Sequence, residues 1–193
     1  MPNYLRSEEV WWHLKKHLKK EGGLQNQIKG LVPDGERVMV SDIFGYCSRG
    51  VPGLEIVGLG KRGRIFKEKL NFITRRMRVK IEAKKYVICI DDEIIEKIDG
   101  DIYRYLELPC LLLYWSLADV IKVKRLDDCL CGGTVSTSGV IREFQFKDSH
   151  QNLFEEFSNL GLKIITDDLS KINDGCTRLS LGDLIGESFK IAS

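Results

Sequence analysis

The longest continuous apolar segment of the chain spans residues 108–118 and reads LPCLLLYWSLA. Its hydrophobic residues lie on every side of a helical projection, and the run is longer than a typical strand. Pro109 suits the first turn of a helix, where a missing N–H costs no hydrogen bond. The pattern therefore predicts a buried central helix over residues 108–118.

An amphipathic pattern predicts a second long helix between residues 61 and 77. Apolar residues recur there at helical spacing, and a basic face containing Arg62, Lys69 and Arg76 lies beside them. Because an outer face contributes little to the core, we expect a triple Glu replacement at these three positions to leave the fold intact. Shorter helices are predicted over residues 153–160 and 179–188.

The N-terminal residues predict a separate helix that begins at Ser7 and ends near residue 21. Ser7 suits a helix cap, and the lysine-rich last turns precede a Gly-Gly stop. Its apolar stripe includes Trp11 and suits docking. His13 and His17 share a face and suggest a metal ligand pair, but a third ligand is missing, so solvated histidines are the alternative and we predict no metal. We assign 1–30 to a helical extension and 31–193 to a single domain.

Short β-rich runs bounded by turn residues predict the strands. We expect the first two runs to be neighbours and the runs 129–135 and 140–146 to form a hairpin around Ser136–Gly139, all in one sheet with 86–90. Together the strands and helices predict one α+β domain. The predicted strands cover residues 36–44, 53–57, 78–83, 86–90, 162–165, 129–135 and 140–146.

Composition indicates a folded globular protein in a reducing compartment. Hydrophobic residues make up 43% of the chain and charged residues 30%, enough apolar surface to offset chain entropy. No secretion signal is seen, and no apolar run approaches the ~20 residues that cross a bilayer. The six cysteines lie in apolar runs and suit core positions. We expect a cytoplasmic protein that does not bind membranes and uses no cofactor.

A glycine-rich turn, Gly58-x-Gly60-x-x-Gly63, follows an apolar strand and opens the second helix. Such a turn can bring a pyrophosphate to a helix N-terminus. However, Arg64 and Ile65 stand where a phosphate-binding loop needs Lys and a magnesium-binding hydroxyl. The alternative is a structural turn whose glycines permit positive φ, and we expect no nucleotide hydrolysis.

Roughly residues 38–146 contain four sequence blocks: SRGVPGLEIVGLG (48–60), KKYVICIDDEIIEKIDG (84–100), LELPCLLLYWSLA (106–118) and LDDCLCGGTVSTSGVIREF (126–144). These blocks, in the same order, resemble the N-terminal domain of the bacterial ComM/YifB family, which is related to magnesium chelatase subunits. LGLKIITDDLS continues the resemblance more loosely. This family resemblance implies a ribosomal protein S5 domain 2-like fold, shared with the Lon proteolytic domain, and an AAA+ ATPase partner that acts on DNA.

Departures from the family pattern bear on activity and partners. Gly60 and Lys61 replace a proline and an acidic residue, which implies a rewritten partner surface. A Lon-type peptidase needs a serine at the start of the central helix and a lysine beyond the hairpin. The helix start has no serine, Ser116 lies inside the helix, and Asp148 falls at the lysine position with Lys147 beside it. We therefore expect no enzymatic activity.

Charge is strongly partitioned along the chain. Residues 61–85 contain eleven Lys or Arg against two Glu, although the whole chain carries only +2. Such clustering is typical of phosphate recognition and predicts a module that binds DNA or RNA. The alternatives are a solvated helix face paired with the acidic segment 91–107, and a regulatory domain that binds only protein. The candidate nucleic-acid-binding residues are Lys61, Arg62, Arg64, Lys69, Arg75, Arg76 and Arg78.

Overall fold

A computed structural model describes residues 25–91, 100–121, 123, 125–168, 176–186 and 190–191. The predicted N-terminal helix, with its tryptophans and histidines, and most of the acidic connection lie outside these ranges. In chain order the elements are β1 (Gln25–Asp34), β2 (Arg37–Ser48), β3 (Gly53–Val57), α1 (Arg62–Arg76), β4 (Lys85–Ile90), a first 3₁₀ turn (Ile102–Leu106), α2 (Glu107–Leu117), β5 (Cys129–Cys131), β6 (Gly133–Val135), β7 (Val140–Glu143), a second 3₁₀ turn (Asp148–His150), α3 (Gln151–Asn159), β8 (Lys163–Ile165), β9 (Thr177–Leu179), α4 (Leu181–Ile185) and β10 (Lys190–Ile191).

The strands of the described residues form two sheets. A seven-stranded sheet has the order β3-β4-β2-β1-β5-β8-β9, and a small one has the order β10-β7-β6. In the large sheet, β2 is antiparallel to both of its neighbours, and the other four pairings are parallel. The molecule is thus a mixed α/β structure with a mostly parallel central sheet, which is compatible with the predicted α+β class.

β1 and β2 form a long antiparallel hairpin with a turn at Gly35, whose φ is +59°. We expected residues 1–30 to precede the domain, but the strand begins at Gln25, so 25–30 belong to the sheet and the expected boundary is wrong at this point. The polar residues at the start of β1 hide the strand in the sequence. Ile28, 1% exposed, nevertheless belongs to the core.

α1 connects β3 to β4, which lie side by side and run parallel. We expected β2 and β3 to be neighbours, but β4 lies between them. The strand predicted over 78–83 is also wrong, because these residues form a turn and coil. Both edges of β4 are already paired, so no partner remains for a further strand there. Val79 and Ile81 instead pack against the core as half-buried side chains.

α2 confirms the predicted central helix and is buried along its whole length. It packs against β1, β2 and β4 on the same face of the sheet as α1. Trp115 is 2% exposed, and its indole N–H donates to Thr74 Oγ1 of α1 at 3.0 Å. This hydrogen bond satisfies both polar groups inside the core and fixes the two helices relative to each other.

The predicted hairpin is confirmed for β6 and β7, which pair antiparallel around the turn 136–139. The segment 129–135 is not one strand, however, because β5 belongs to the large sheet and β6 to the small one. The chain changes sheet at Gly132, where an added Cβ would overlap the carbonyl oxygen of Leu31. β7 therefore lies outside the large sheet in which we expected it.

The C-terminal third extends the large sheet and covers its far end. α3 and β8 confirm the helix predicted over 153–160 and the strand over 162–165. The helix expected over 179–188 is shorter, since Leu179 ends β9 and α4 has only five residues. Ser180 caps α4 by accepting a hydrogen bond from the Asp183 N–H at 3.2 Å. All six cysteines are free thiols, and four of them are buried.

Candidate nucleic-acid interface

Two neighbouring clefts follow one side of α1. The first, about 370 Å³, lies between the N-terminal half of the helix and β3. The second, about 350 Å³, lies between the C-terminal half and the coil 79–84. Pro52 and Gly53 line both clefts, so the two clefts adjoin each other. We call this surface the α1 groove.

The helical wall of the α1 groove is a stripe of four polar residues. Arg64 and Lys67 line the first cleft, and Asn71 and Arg75 line the second. Their spacing of three and four residues places them on one side of the helix. Eleven residues of helix separate the first from the last, which corresponds to a wall about 16 Å long. Three cations and an amide thus form a single row.

The opposite wall begins with β3, an edge strand of the large sheet. The Gly53 N–H donates to Lys84 O at 3.0 Å on the side of β4. Backbone groups alternate in direction along a strand, so the N–H and C=O of Leu54 point away from β4. Leu54, which is 5% exposed, also lines the first cleft, so the outer edge of β3 borders the groove.

Lys84 and Lys85 add positive charge to the same wall, but both are paired. Lys84 Nζ lies 2.7 Å from Glu82 Oε2, and Lys85 Nζ lies 2.9 Å from Glu55 Oε2. The hydrogen bonds to these carboxylates raise the pKa of both lysines, so their ammonium groups remain charged. Cations outnumber carboxylates among the groove residues, and the net charge there is positive.

The cations of the stripe are less involved in ion pairs than Lys84 and Lys85. Lys67 Nζ lies 3.6 Å from Glu68 Oε1 and its side chain is 35% exposed. Arg64 and Arg75 are exposed, and within the described part of the chain neither forms an ion pair. The stripe therefore presents positive charge at both ends of the groove. No carboxylate of the described residues neutralises this charge.

The glycine-rich turn brings α1 against β3. Gly58 has φ +99°, and a Cβ there would overlap the carbonyl oxygen of Ile90. Gly63 approaches the backbone of β3 so closely that a Cβ would lie 3.3 Å from Ile56 O. The Arg62 and Gly63 N–H groups donate to Leu59 O and Gly60 O inside the turn. These contacts explain why the turn contains glycines. They agree with the interpretation of the motif as a structural turn.

The predicted binding residues are distributed over two sides of α1. Arg64 and Arg75 line the groove, whereas Lys61, Arg76 and Arg78 are exposed outside it. Lys67 and Asn71 of the stripe are not among the predicted binding residues. The spacing of 64, 67, 71 and 75 is a signal that would have revealed the stripe, had a polar periodicity been sought in addition to the apolar one.

The remaining two candidates face the protein interior. The Arg62 guanidinium carbon lies 4.8 Å from the centre of the Tyr103 ring. Lys69 Nζ lies 2.6 Å from Glu107 Oε1, and the two side chains are only 15% and 4% exposed. Arg62 and Lys69 therefore hold α1 against the start of α2, and the ammonium of Lys69 is already bound to a carboxylate.

Glu107 is the acceptor at the centre of a buried cluster. Its carboxylate also accepts hydrogen bonds from Arg104 Nε at 3.3 Å and from the Val135 N–H at 2.8 Å. A glutamate at position 69 would replace the buried cation of this cluster by a second carboxylate, and Arg104 alone would face the two negative charges. Our expectation that Glu at 62, 69 and 76 together would leave the fold intact is therefore wrong at position 69.

The residues considered for a Lon-type dyad have other partners. Ser116, 6% exposed, accepts from Asn26 Nδ2 at 2.6 Å and donates to Val123 O at 3.2 Å. Lys147 Nζ donates to Gly35 O at 3.1 Å and to Glu36 Oε1 at 2.8 Å. Glu107, rather than a serine, occupies the first position of α2.

Neither a protein-family model nor a curated protein sequence matches this chain. Among the described residues, no group of three His, Cys, Asp or Glu side chains is arranged to hold a metal ion. No helix of the described segments is long and apolar enough to span a bilayer.

Proposed function

We propose that this chain is a non-catalytic binding module that holds nucleic acid in the α1 groove. The observation that carries the proposal is the row of Arg64, Lys67, Asn71 and Arg75 along two adjoining clefts. Cations spaced along a groove match a linear polyanion, because each bound phosphate releases condensed counterions. A compact anion would need convergent cations instead.

The geometry favours binding with little sequence preference. The stripe cations suit phosphate oxygens, and phosphate contacts carry no base identity. Asn71 is the one uncharged member of the stripe, and an amide can donate to phosphate or to a base edge. Affinity should therefore depend on charge and salt more than on base identity.

We also propose that the fold is of the ribosomal protein S5 domain 2-like type, and that the partner of the module is an AAA+ ATPase acting on DNA. Three blocks of the ComM/YifB resemblance support this. The block 48–60 forms the turn, β3 and the approach to α1, the block 106–118 forms α2, and the block 126–144 contains the β6–β7 hairpin.

A second candidate function is protein binding without nucleic acid, and one observation favours it. Ile65 and Phe72, two turns apart on the outer side of α1, are 70% and 50% exposed. Exposed apolar side chains in a basic setting suit an amphipathic partner with acidic residues. The following experiment separates the two functions.

Replacing Arg64, Lys67 and Arg75 together by Gln should weaken nucleic-acid binding and flatten its salt dependence. Each phosphate that the variant no longer binds should lower the log–log salt slope by roughly 0.7 for a single strand and 0.9 for a duplex. Fluorescence anisotropy with a labelled mixed-sequence oligonucleotide, titrated between about 50 and 200 mM salt, measures both quantities.

The matched control removes three exposed cations of the same segment that lie outside the groove, Lys61, Arg78 and Lys80, also by Gln. The two variants have the same net charge, so a larger loss in the groove variant identifies the groove. Equal losses would reject the groove as the site. Undetectable binding at low salt would reject nucleic acid and leave protein binding as the function.

A further inference from the structure

We propose that the α1 groove accepts a single strand, with Phe72 as the surface on which one base stacks. This inference rests on the proposed function and adds the form of nucleic acid that is bound. It begins from the exposure of Phe72, which is 50%, although Phe66 and Ile73 on the same helix are 2% and 0% exposed. An aromatic ring left in solvent on a basic helix is available to a ligand.

Phe72 lies next to the groove. Residues three and four apart on a helix have Cβ atoms about 5–6 Å from each other. Arg75 and Arg76 therefore flank the Phe72 ring one turn later, and the preceding residue, Asn71, lines the groove. A nucleotide whose phosphate lies at Arg75 can place its base over the ring, with a guanidinium on either side.

The charge distribution of the groove suits one backbone. Its less engaged cations, Arg64, Lys67 and Arg75, form one row along α1, whereas Lys84 and Lys85 on the opposite wall are already paired with Glu82 and Glu55. A duplex presents two phosphate rows and keeps its bases stacked on each other. A single strand presents one row and can turn a base face toward an aromatic side chain.

The expected preference follows from these two features. Every base has a π-face, so stacking on Phe72 should tolerate any sequence. It should nevertheless discriminate single strands from duplexes, because only an unpaired base can reach the ring. Single strands and duplexes should both use the phosphate contacts to the stripe. Removal of the groove cations should therefore weaken the binding of both forms, whereas removal of the Phe72 ring should weaken the binding of the single strand alone.

The test compares a labelled single strand with the duplex of the same sequence, using the full chain at one salt concentration and anisotropy as the readout. The Phe72→Leu variant keeps an apolar side chain but loses the π-face, and it should bind the single strand about fivefold more weakly. Duplex affinity should not change. Ile65→Ala, an exposed apolar change on the same helix, is the control and should leave both affinities unaltered.

A Phe72→Trp variant provides an independent readout. It retains a stacking surface, so single-strand affinity should be kept, and the added indole fluorescence should be quenched by the single strand relative to wild type. Unchanged single-strand binding by Phe72→Leu, or an equal loss for the duplex, would overturn the stacking inference while leaving the proposed function standing. Failure of both nucleic acids to bind wild-type protein at low salt would instead reject the proposed function.

Discussion

Replacing Lys69 by Met should lower the free energy of unfolding by about 2 kcal/mol, because it removes one cation from a buried ion pair and leaves the partly exposed Arg104 as the cationic partner of Glu107. Methionine keeps the length and apolar body of the side chain, so the loss reports the charge rather than a cavity. Urea denaturation with an unchanged m value measures the effect.

Arg76→Met is the matched control for this change. Arg76 lies on the same helix but is exposed, so its replacement should alter the unfolding free energy by no more than about 0.5 kcal/mol. The double variant Lys69→Met with Glu107→Gln should recover part of the loss, since a neutral amide can still accept from the Val135 N–H. A Lys69→Met variant as stable as the control would contradict a structural role for the pair.

The second large effect is expected at the glycine turn, where Gly58→Ala should cost about 2–5 kcal/mol. The backbone at Gly58 has positive φ, which costs an L-residue about 1–2 kcal/mol, and a methyl group would also overlap Ile90 O, an overpacking cost of about 1–3 kcal/mol. The displaced neighbour is backbone, so no side-chain rotation can relieve the overlap. Thermal or urea unfolding measures the loss.

A substitution at Gly60 distinguishes the cost of the backbone conformation from the cost of the steric overlap. Its φ is +52°, but an added Cβ would meet no atom within 4 Å. Gly60→Ala should therefore show only the backbone cost, about 1–2 kcal/mol. If the Gly58 and Gly60 variants lost the same stability, the close approach of the turn to the end of β4 would contribute nothing to the loss.

The elements that the sequence predicted correctly are those in which burial is uniform or strongly periodic. α2 was recognised because it is apolar on all sides, and α1 because its core positions recur at helical spacing. The β1 strand was missed because Gln25, Asn26 and Gln27 open it with polar side chains. The Asp34-Gly35 pair, a strong hairpin signal, would have revealed it.

Strand pairing could not be read from periodicity. Alternating apolar residues at Val79 and Ile81 look like a strand, but which edges are free depends on how the whole sheet is ordered. The same limit applies to the candidate site. Exposed positive charge was predictable, whereas the engagement of Lys69 depends on Glu107, which is 38 residues away in sequence and meets it only in the folded structure.

The crossing at Gly132 couples the two sheets during folding. Cys131 pairs with β1 in the large sheet and Gly133 pairs with β7 in the small one, with one residue between them. The small sheet therefore cannot shift its register or detach without pulling on the centre of the large sheet. One inserted residue at this point would turn every side chain of β6 to the opposite face. The described core should consequently unfold as one cooperative unit rather than sheet by sheet.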